Sequence, residues 1–593
     1  MPEAMDYSTD FCVVGGGLAG ICAAVAAARR GIKVVLMHER PMLGGNASSE
    51  IRMWVCGAQG KNVTETGLLE ELFMENLWMN PYKLYPMFDA LLYHFVKREP
   101  NITLLLNCSC FDAQMKDKET IEFVTGWQMT TQRFIRVRAK YFADCSGDSI
   151  LAPLTGAHFR VGREAASEFG EQINVPIADK KTMGNSCLIQ AHPGKEKVSF
   201  TPPPFAKKLN AEDLRYRRPN LDSDSENFWY LELGGDRNTV ADAEQIRDEL
   251  VALAYGMWDY IKNSGEFKDA EYWQLDFIGF LPGKRESRRM LGKVIVTQND
   301  ILSDRNWPDV AAYGGWPLDD HDPAGFRYDG HPNTAYHTPA PYAIPYRALY
   351  SENIGNLFFA GRNISMTHAA MSSSRVMATC ALCGQAVGTA AAIAAAHDAL
   401  PQDVYETYLA ELQDALLWDD CMLPHHPRIP SEIMTQAELT LDGAYAAALE
   451  NLRDGNDREN VFVCEAGQQI LCRFRTPRQI REVRIVFDSD LDRQTLPGSQ
   501  TERKHMTRCN LLPDSPVMHL PSTLCSDFIL EGMDETGNSV ITKKITNNLH
   551  RLVKLPLSDR KLSGLRLTPL AAHAGGVQMR LFSLDAVCAS DVP

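Results

Sequence analysis

The sequence predicts an α/β protein in three parts: a split Rossmann-like nucleotide-binding domain over residues 1–155 and 341–430, an inserted α+β substrate domain over 156–340, and an all-β sandwich over 431–593. Three observations predict it. A glycine turn from Gly15 to Gly20 joins the apolar run Phe11–Val14 to an alanine-rich helical pattern that reaches Arg30. A second buried strand and small-residue turn, Ile354–Arg362, returns far downstream and leads into another alanine-rich helix. After Pro430 the texture changes to short runs of period-two alternation, which is the pattern of half-buried strands. At 593 residues the chain is too long for a single hydrophobic core, so a multi-domain organisation is expected on size alone.

The first unit is a strand–turn–helix–strand. In Gly15-x-Gly17-x-x-Gly20, Gly15 permits the tight turn, Gly17 lets backbone approach a pyrophosphate, and Gly20 lets the helix pack closely on the strand. The pyrophosphate then rests on the uncapped N–H groups of a helix N-terminus. Lys33–Met37 follows as the second strand, and Glu39 stands about twenty residues past the last glycine, where a carboxylate accepts ribose hydroxyls. Gly44-Gly45-Asn46 and Ser49 lie in the next turn, where small residues let the chain run beside a long cofactor, with Arg52 just beyond. Helical patterns cover roughly Thr64–Trp78 and Tyr85–Arg98, and strands Ile102–Asn107 and Phe134–Ala143. The last of these ends in the small-residue turn containing Gly147 and Asp148.

Residues 156–340 are polar, proline-punctuated and rich in scattered aromatics, as suits an inserted substrate domain. The uncharged stretch Val376–Ala396 has the length of a membrane span, but it is built of Ala, Gly, Cys and Thr and follows a strand and turn. It reads as a buried helix packed on sheet and cofactor. The net charge of −15, without any extended basic block, argues against nucleic acid and anionic membrane as partners. The N-terminus has neither a basic nor an apolar leader region, so a cytoplasmic location with reduced thiols is expected for the fifteen cysteines. Cys380 and Cys383 form a lone C-x-x-C with no partner pair at zinc spacing and read as core residues; no metal is expected.

The split of the nucleotide domain distinguishes FAD from NAD. An NAD domain is usually contiguous, whereas an FAD domain commonly recovers a late strand and helix that return to the flavin, as Gly361-Arg362 and the helix begun near Met371-Ser372-Ser373 do. That helix N-terminus would face the flavin N1/O2 edge, where negative charge collects on reduction, which makes Ser373 a candidate contact.

At Gly44–Arg52, Phe142–Arg163 and Tyr336–Gly388 the chain resembles the bacterial FAD-dependent oxidoreductase family of the glutathione-reductase-like flavoproteins, over roughly residues 8–425. The segments Pro341–Arg347, Asn356–Ser365 and Met371–Val376 carry much of the resemblance. It implies non-covalent FAD held through Gly15, Gly17, Gly20, Glu39, Arg40, Gly44, Gly45, Asn46, Ser49 and the turns Gly147-Asp148 and Gly361-Arg362. Flavin disulfide reductases carry a redox cysteine pair just after the double glycine; here the sequence is Asn46-Ala47-Ser48-Ser49. There is also no second nucleotide fingerprint. A separate electron acceptor or donor is therefore expected. The tail, closing on Met579–Val587, resembles a discoidin-like or galactose-binding-like sandwich.

His368 lies between the flavin-side turn and the following helix and is the candidate proton-transfer group, with Tyr342 and Arg347 behind the wall as catalytic candidates. Asp319–Asp322 with His331 and His337 reads as a polar active-site wall rather than a metal site. Lys284–Arg289, the densest basic cluster, reads either as a salt-bridged element end or as an anion contact. The function expected is hydride transfer between flavin N5 and a small polar metabolite, taken as a sugar, polyol or glycoside alcohol. A flavin enzyme without net redox, of isomerase or lyase type, and a carbohydrate-binding scaffold with a vestigial flavin stand as alternatives. The substrate, the acceptor and a homo-oligomeric state are left open.

Overall fold

The computed structural model describes residues 4–557 and 560–588. These residues form two compact units. The first contains the chain up to Gly60, Tyr82–Gln413 and Gln500–Pro516; the second contains Lys61–Pro81, Asp414–Ser499 and the chain from Val517. Lys61–Pro81, expected with the nucleotide domain, thus belongs to the second unit, as does 414–430. Residues 500–516, expected in the sandwich, belong to the first.

In the first unit, β1 (Ala4–Val14), β2 (Val34–Met37), β3 (Ile102–Leu105) and β6 (Arg133–Asp144) form a parallel sheet in the order β3-β2-β1-β6. The far edge of β6 is shared. Its first half pairs antiparallel with β5 (Ile121–Gln128), which continues to β4 (Cys108–Met115). Its last residues pair in parallel with the late strand Leu357–Phe359, in register Phe142↔Leu357 through Asp144↔Phe359. All four residues of β2 and the last four of β1 are buried, as expected for parallel strands covered on both faces.

Two helices cross tightly on this sheet. They are α1 (Leu18–Arg29) and the long helix Met377–His397, both rich in alanine. A Cβ at Gly384 would lie 2.0 Å from Ala19 O and one at Gly388 2.1 Å from Ala23 O, so the crossing depends on these two positions having no side chain. Among the described residues Met377–His397 is the one helix long and apolar enough to cross a membrane, and 94% of its most apolar window is buried in the protein. It is the core helix that the sequence suggests. Residues 156–340 add the long helix Ala243–Asn263, packed on a core around Phe228, Leu250 and Trp258, and several short antiparallel pairs.

The second unit is antiparallel. Eight of its strands join, with Phe462–Glu465, Gln578–Cys588, Ile470–Phe487, Lys561–Ala572, Cys525–Met533 and Ser539–Ile545 side by side. The long strand Ile470–Phe487 serves two sheets, pairing with Lys561–Ala572 through its first part and with Gln578–Cys588 through its second. A buried ion network binds this unit: Arg484 and Arg428 share Asp457, and Arg551 donates to Asp420 at 2.8 Å. Removing one member would leave a buried charge uncompensated.

Candidate functional site

The cradle is assembled where three strand ends of the parallel sheet meet. Gly15 N–H donates to Met37 O, Cys145 N–H to Val14 O and Gly44 N–H to Gly16 O, each at 2.8 Å, so the turns after β1, β2 and β6 are tied together by backbone. Gly15 has φ +111, and a Cβ there would lie 2.4 Å from the backbone of Cys145. At Gly17, the N-cap of α1, an added Cβ would meet only Gly45 Cα at 3.9 Å, and no side chain caps the helix. A groove with a bare helix N-terminus results, the shape and polarity a pyrophosphate requires. Gly20 acts differently. Its Cβ would sit 1.8 Å from Gly15 O, so it sets the packing of α1 and does not line the groove.

One cavity of about 550 Å³ continues from this groove. Of the residues the sequence singles out for cofactor binding, Gly15, Gly17, Glu39, Arg40, Gly44, Gly45, Asn46, Gly147, Asp148, Gly361 and Arg362 line it. Gly20, Ser49, Arg52 and Ser373 do not. The Ser49 N–H donates to Asp89 at 3.0 Å, Arg52 lies on the Phe277 ring at 3.8 Å, and Ser373 bonds to Tyr342 and to Trp316 O. The helical segment His368–Ser374 ends at an extended residue, Val376, and it is the next helix, starting at Met377, whose first turn reaches the cavity.

Asp148 is gripped by Lys284 at 2.7 Å, Arg362 at 2.8 Å and Ser287 at 2.8 Å. Burial opposes its ionisation, but Arg362 and Lys284 outweigh it and hold the carboxyl at about 2. Arg362 Nε is buried and has no hydrogen-bond partner among the described residues. An orphaned guanidinium N–H, the open N-terminus of α1 and a cradle that a Cβ would fill together fit an anionic dinucleotide; Glu39, half exposed and 3.3 Å from Arg40 Nε, fits its ribose.

Beyond the dinucleotide groove the wall is polar and aromatic. Leu318–His321 pairs with Asn333–Tyr336 as a two-stranded ribbon, so its side chains alternate between faces. Asp319 and His321 face the cavity together with Asn333. Asp319 is the hub: Asn333 Nδ2 donates to it at 2.6 Å, Arg375 Nη2 at 3.1 Å and Trp316 Nε1 at 3.4 Å, with His321 Nε2 at 3.5 Å. The other ring nitrogen of His321, Nδ1, bonds to Glu232 at 2.7 Å, and Trp229 meets the ring edge-on at 5.5 Å. Arg285 lies 3.3 Å from the same Glu232 oxygen.

Asp320 alternates to the opposite face and meets His368 Nε2 at 3.2 Å, while Glu286 holds His368 Nδ1 at 2.9 Å. This corrects the expectation for His368. The ring does not line the cavity. Although burial disfavours its charge, Glu286 and Asp320 raise its pKa to about 10, so at neutral pH it is a cation with both nitrogens occupied and cannot accept another proton. Tyr342 and Arg347 are also displaced from the catalytic place expected of them. Tyr342 is 1% exposed and bonds to Ser373 Oγ at 2.6 Å; Arg347 grips Asp309 through Nε and Nη2, each at 2.9 Å. Neither lines the cavity.

Sequence reasoning placed the Asp319–Asp322 wall and the Lys284–Arg289 cluster, whose Lys284 and Arg285 both face the cavity. It missed Trp229, Trp316, Arg375 and Lys504. Arg375 carried a signal, being the one charge at the entrance to an uncharged helix; Lys504 carried none, because it lies far down the chain among strand-like runs.

A family model described as FAD dependent oxidoreductase matches residues 10–416. No curated protein matches the chain. Among solved structures, the chain is similar to a geranylgeranyl bacteriochlorophyll reductase-like protein from Thermoplasma acidophilum, at 11% identity over 70% of this chain and 86% of that one, with a TM-score of 0.30. It is also similar to a fucose binding module from Streptococcus pneumoniae, at 15% identity over 26% of this chain and 94% of that one, with a TM-score of 0.19. A family 32 carbohydrate-binding module from C. perfringens, solved with galactose, matches at 8% identity over 26% of this chain and 97% of that one, with a TM-score of 0.18.

Proposed function

The chain belongs to the FAD-dependent oxidoreductase family, and on that premise we propose that it oxidises the alcohol carbon of a small polar metabolite of sugar or polyol type, passing a hydride to flavin N5. The observation that carries this reading is the continuity of one cavity from the glycine cradle to the wall of Trp229, Trp316, Asp319 and His321. Bound FAD supplies the hydride acceptor. Everything else falls to side chains of this chain.

The indoles of Trp229 and Trp316 offer flat apolar faces to the carbon skeleton of a polyhydroxylated ring, and Asn333, Asp319 and Arg375 offer hydrogen bonds to its hydroxyls. His321 is the proton acceptor in this reading. With its Nδ1 bonded to Glu232 the ring is held in place, and Nε2, 3.5 Å from Asp319 in the cavity wall, takes the hydroxyl proton as the carbon gives up hydride. Electrons leave to a separate acceptor, since no second nucleotide fingerprint follows Gly20. Disulfide reduction has no place in the scheme: the position after Gly45 holds Asn46-Ala47-Ser48-Ser49, and burial pushes the cavity thiols Cys56 and Cys380 up to about 12. Neither nucleic acid nor a membrane is a partner here.

Anaerobic mixing of the yellow holoprotein with a panel of sugars and polyols tests the reading. Bleaching of the flavin band by at least one of them, lost in His321→Gln, is the expected result. A panel that leaves the flavin oxidised throughout sinks it.

A further inference from the structure

The segment 500–516 lies in a stretch of chain whose neighbours on both sides belong to the second unit, yet it is built into the first. Its anchors are specific. Lys83, fully buried, donates to Asp224 at 2.7 Å and to Thr501 Oγ1 at 2.8 Å, and Ser515 Oγ donates to the same aspartate at 2.9 Å. Leu511 N–H donates to Ala191 O at 2.9 Å, and the His505 ring meets Trp54 of the cavity wall edge-on at 4.3 Å. Held this way, the segment places Lys504 in the cavity wall, with Nζ 5.7 Å from the centre of the Trp316 ring. Its one ion-pair partner among the described residues is Glu502, at 2.9 Å, on a side chain 63% exposed, where solvent screening leaves such a pair little hold.

The charge balance of this part of the cavity is uneven. Arg285, Arg375 and Lys504 face it against the single carboxylate of Asp319. Glu232 behind the wall compensates Arg285, and Asp319 compensates Arg375, which leaves Lys504 with only the exposed, solvent-screened Glu502 as its counter-charge. Arg375 Nε is also buried without a hydrogen-bond partner among the described residues. In a partly dehydrated cavity lined by Arg285, Arg375 and Lys504, an ammonium held only by an exposed acid favours an anion, and a carboxylate can accept from it.

We infer that the substrate carries a carboxylate, as an aldonic or uronic acid does, and that Lys504 is a specificity-determining residue that binds it beside Trp316. The inference rests on the proposed oxidation of a polyhydroxylated alcohol and narrows its substrate to the acidic members. It also gives the segment 500–516 a role in the reaction.

The test is a titration of oxidised holoprotein, read as the perturbation of the flavin absorption band, with gluconate and glucuronate against glucitol and glucose. The two carboxylates are expected to perturb the band saturably and the neutral compounds not to. Lys504→Met should weaken the carboxylate response about tenfold or more and Lys504→Arg should largely restore it, as a charge-assisted hydrogen bond implies. Added potassium chloride should weaken the wild-type response to the carboxylates, a readout that needs no variant. Equal responses to the neutral and acidic compounds, no response to either, or an unchanged affinity in Lys504→Met would overturn the inference. Perturbation by a carboxylate without bleaching would leave it standing and count against alcohol oxidation, so the two failures are told apart.

Discussion

At Gly15 the backbone stands at φ +111, and an added Cβ would lie 2.4 Å from both C and O of Cys145 and 2.5 Å from Ser146 N. These are backbone atoms of the turn after β6, tied to β1 by the Cys145 N–H to Val14 O bond, so they cannot swing aside as a flexible side chain would. A non-glycine residue in such a conformation costs about 1–3 kcal/mol, and overpacking of fixed atoms about 1–3 kcal/mol more. If Gly15→Ala relieves this by opening the turn, the geometry that holds the dinucleotide is lost and the strain appears as weakened binding. About 2–6 kcal/mol corresponds to roughly a thirtyfold to twenty-thousandfold loss of FAD affinity. Gly31→Ala is the control. Gly31 also has positive φ, at +91, but nothing lies within 4 Å of its Cβ position, so only the backbone term of about 1–3 kcal/mol applies, and it falls on stability. Apoprotein of each variant would be titrated with FAD and followed by flavin fluorescence. Wild-type affinity in Gly15→Ala, or an equal loss in both variants, would refute the reasoning.

His321→Gln is expected to slow substrate-dependent flavin reduction by about a hundredfold or more while leaving FAD bound, measured by stopped-flow absorbance. His368→Gln should keep the flavin site but lose stability, by about 3–5 kcal/mol if the buried pair with Glu286 breaks, since it withdraws a cation from Glu286 and Asp320, of which Glu286 keeps Arg289. The pH dependence gives it away: His368 titrates at about 10 when folded and near its ordinary 6.5 when unfolded, so its contribution is complete below about 6.5 and is lost as pH rises through 10. Melting curves of wild type and variant should therefore converge as pH rises toward 10. Asp148 behaves oppositely, because its folded value of about 2 lies below its ordinary 3.8; its contribution is present above 3.8 and is lost as pH falls toward 2, and Asp148→Asn should flatten that acid limb of the stability profile. All fifteen cysteines are buried, so a thiol reagent such as dithionitrobenzoate should find none of them in the native protein at the rate of an exposed thiol and all of them after denaturation.

Much of the cofactor cradle was legible because it is made by backbone, and backbone demands show as residue type. Gly15, Gly44, Gly45 and Gly361 stand at positive φ, where a side chain is strained, and glycine at those spacings announces it without any knowledge of the fold. The parallel strands were legible from their unbroken apolar runs and the crossing of α1 by the late helix from its alanine and glycine content. The reactive wall was much less so. Asp319, Asp320 and His321 follow one another in sequence, but the pleat of their ribbon turns Asp320 away from the cavity and toward His368. A histidine that reads as adjacent to the flavin turn was thereby locked as a buried cation outside the cavity, and it is His321 that lines the wall. The extent of the two units was hidden for a related reason: neither the helix Leu68–Met79 nor the segment 500–516 carries a residue pattern that says which core it joins.

The sequence by itself determined the candidate dinucleotide cradle, since that depends on glycine positions, a carboxylate after the second strand and hydrophobic period, all local properties of the chain. Only the tertiary structure decided which side chains form the polar wall of the cavity that continues from that cradle. Trp229, Asp319, His321, Arg375 and Lys504 come from separate stretches of the chain, and their chemistry exists only once strand alternation, buried ion pairing and the docking of a distant segment have brought them to one wall.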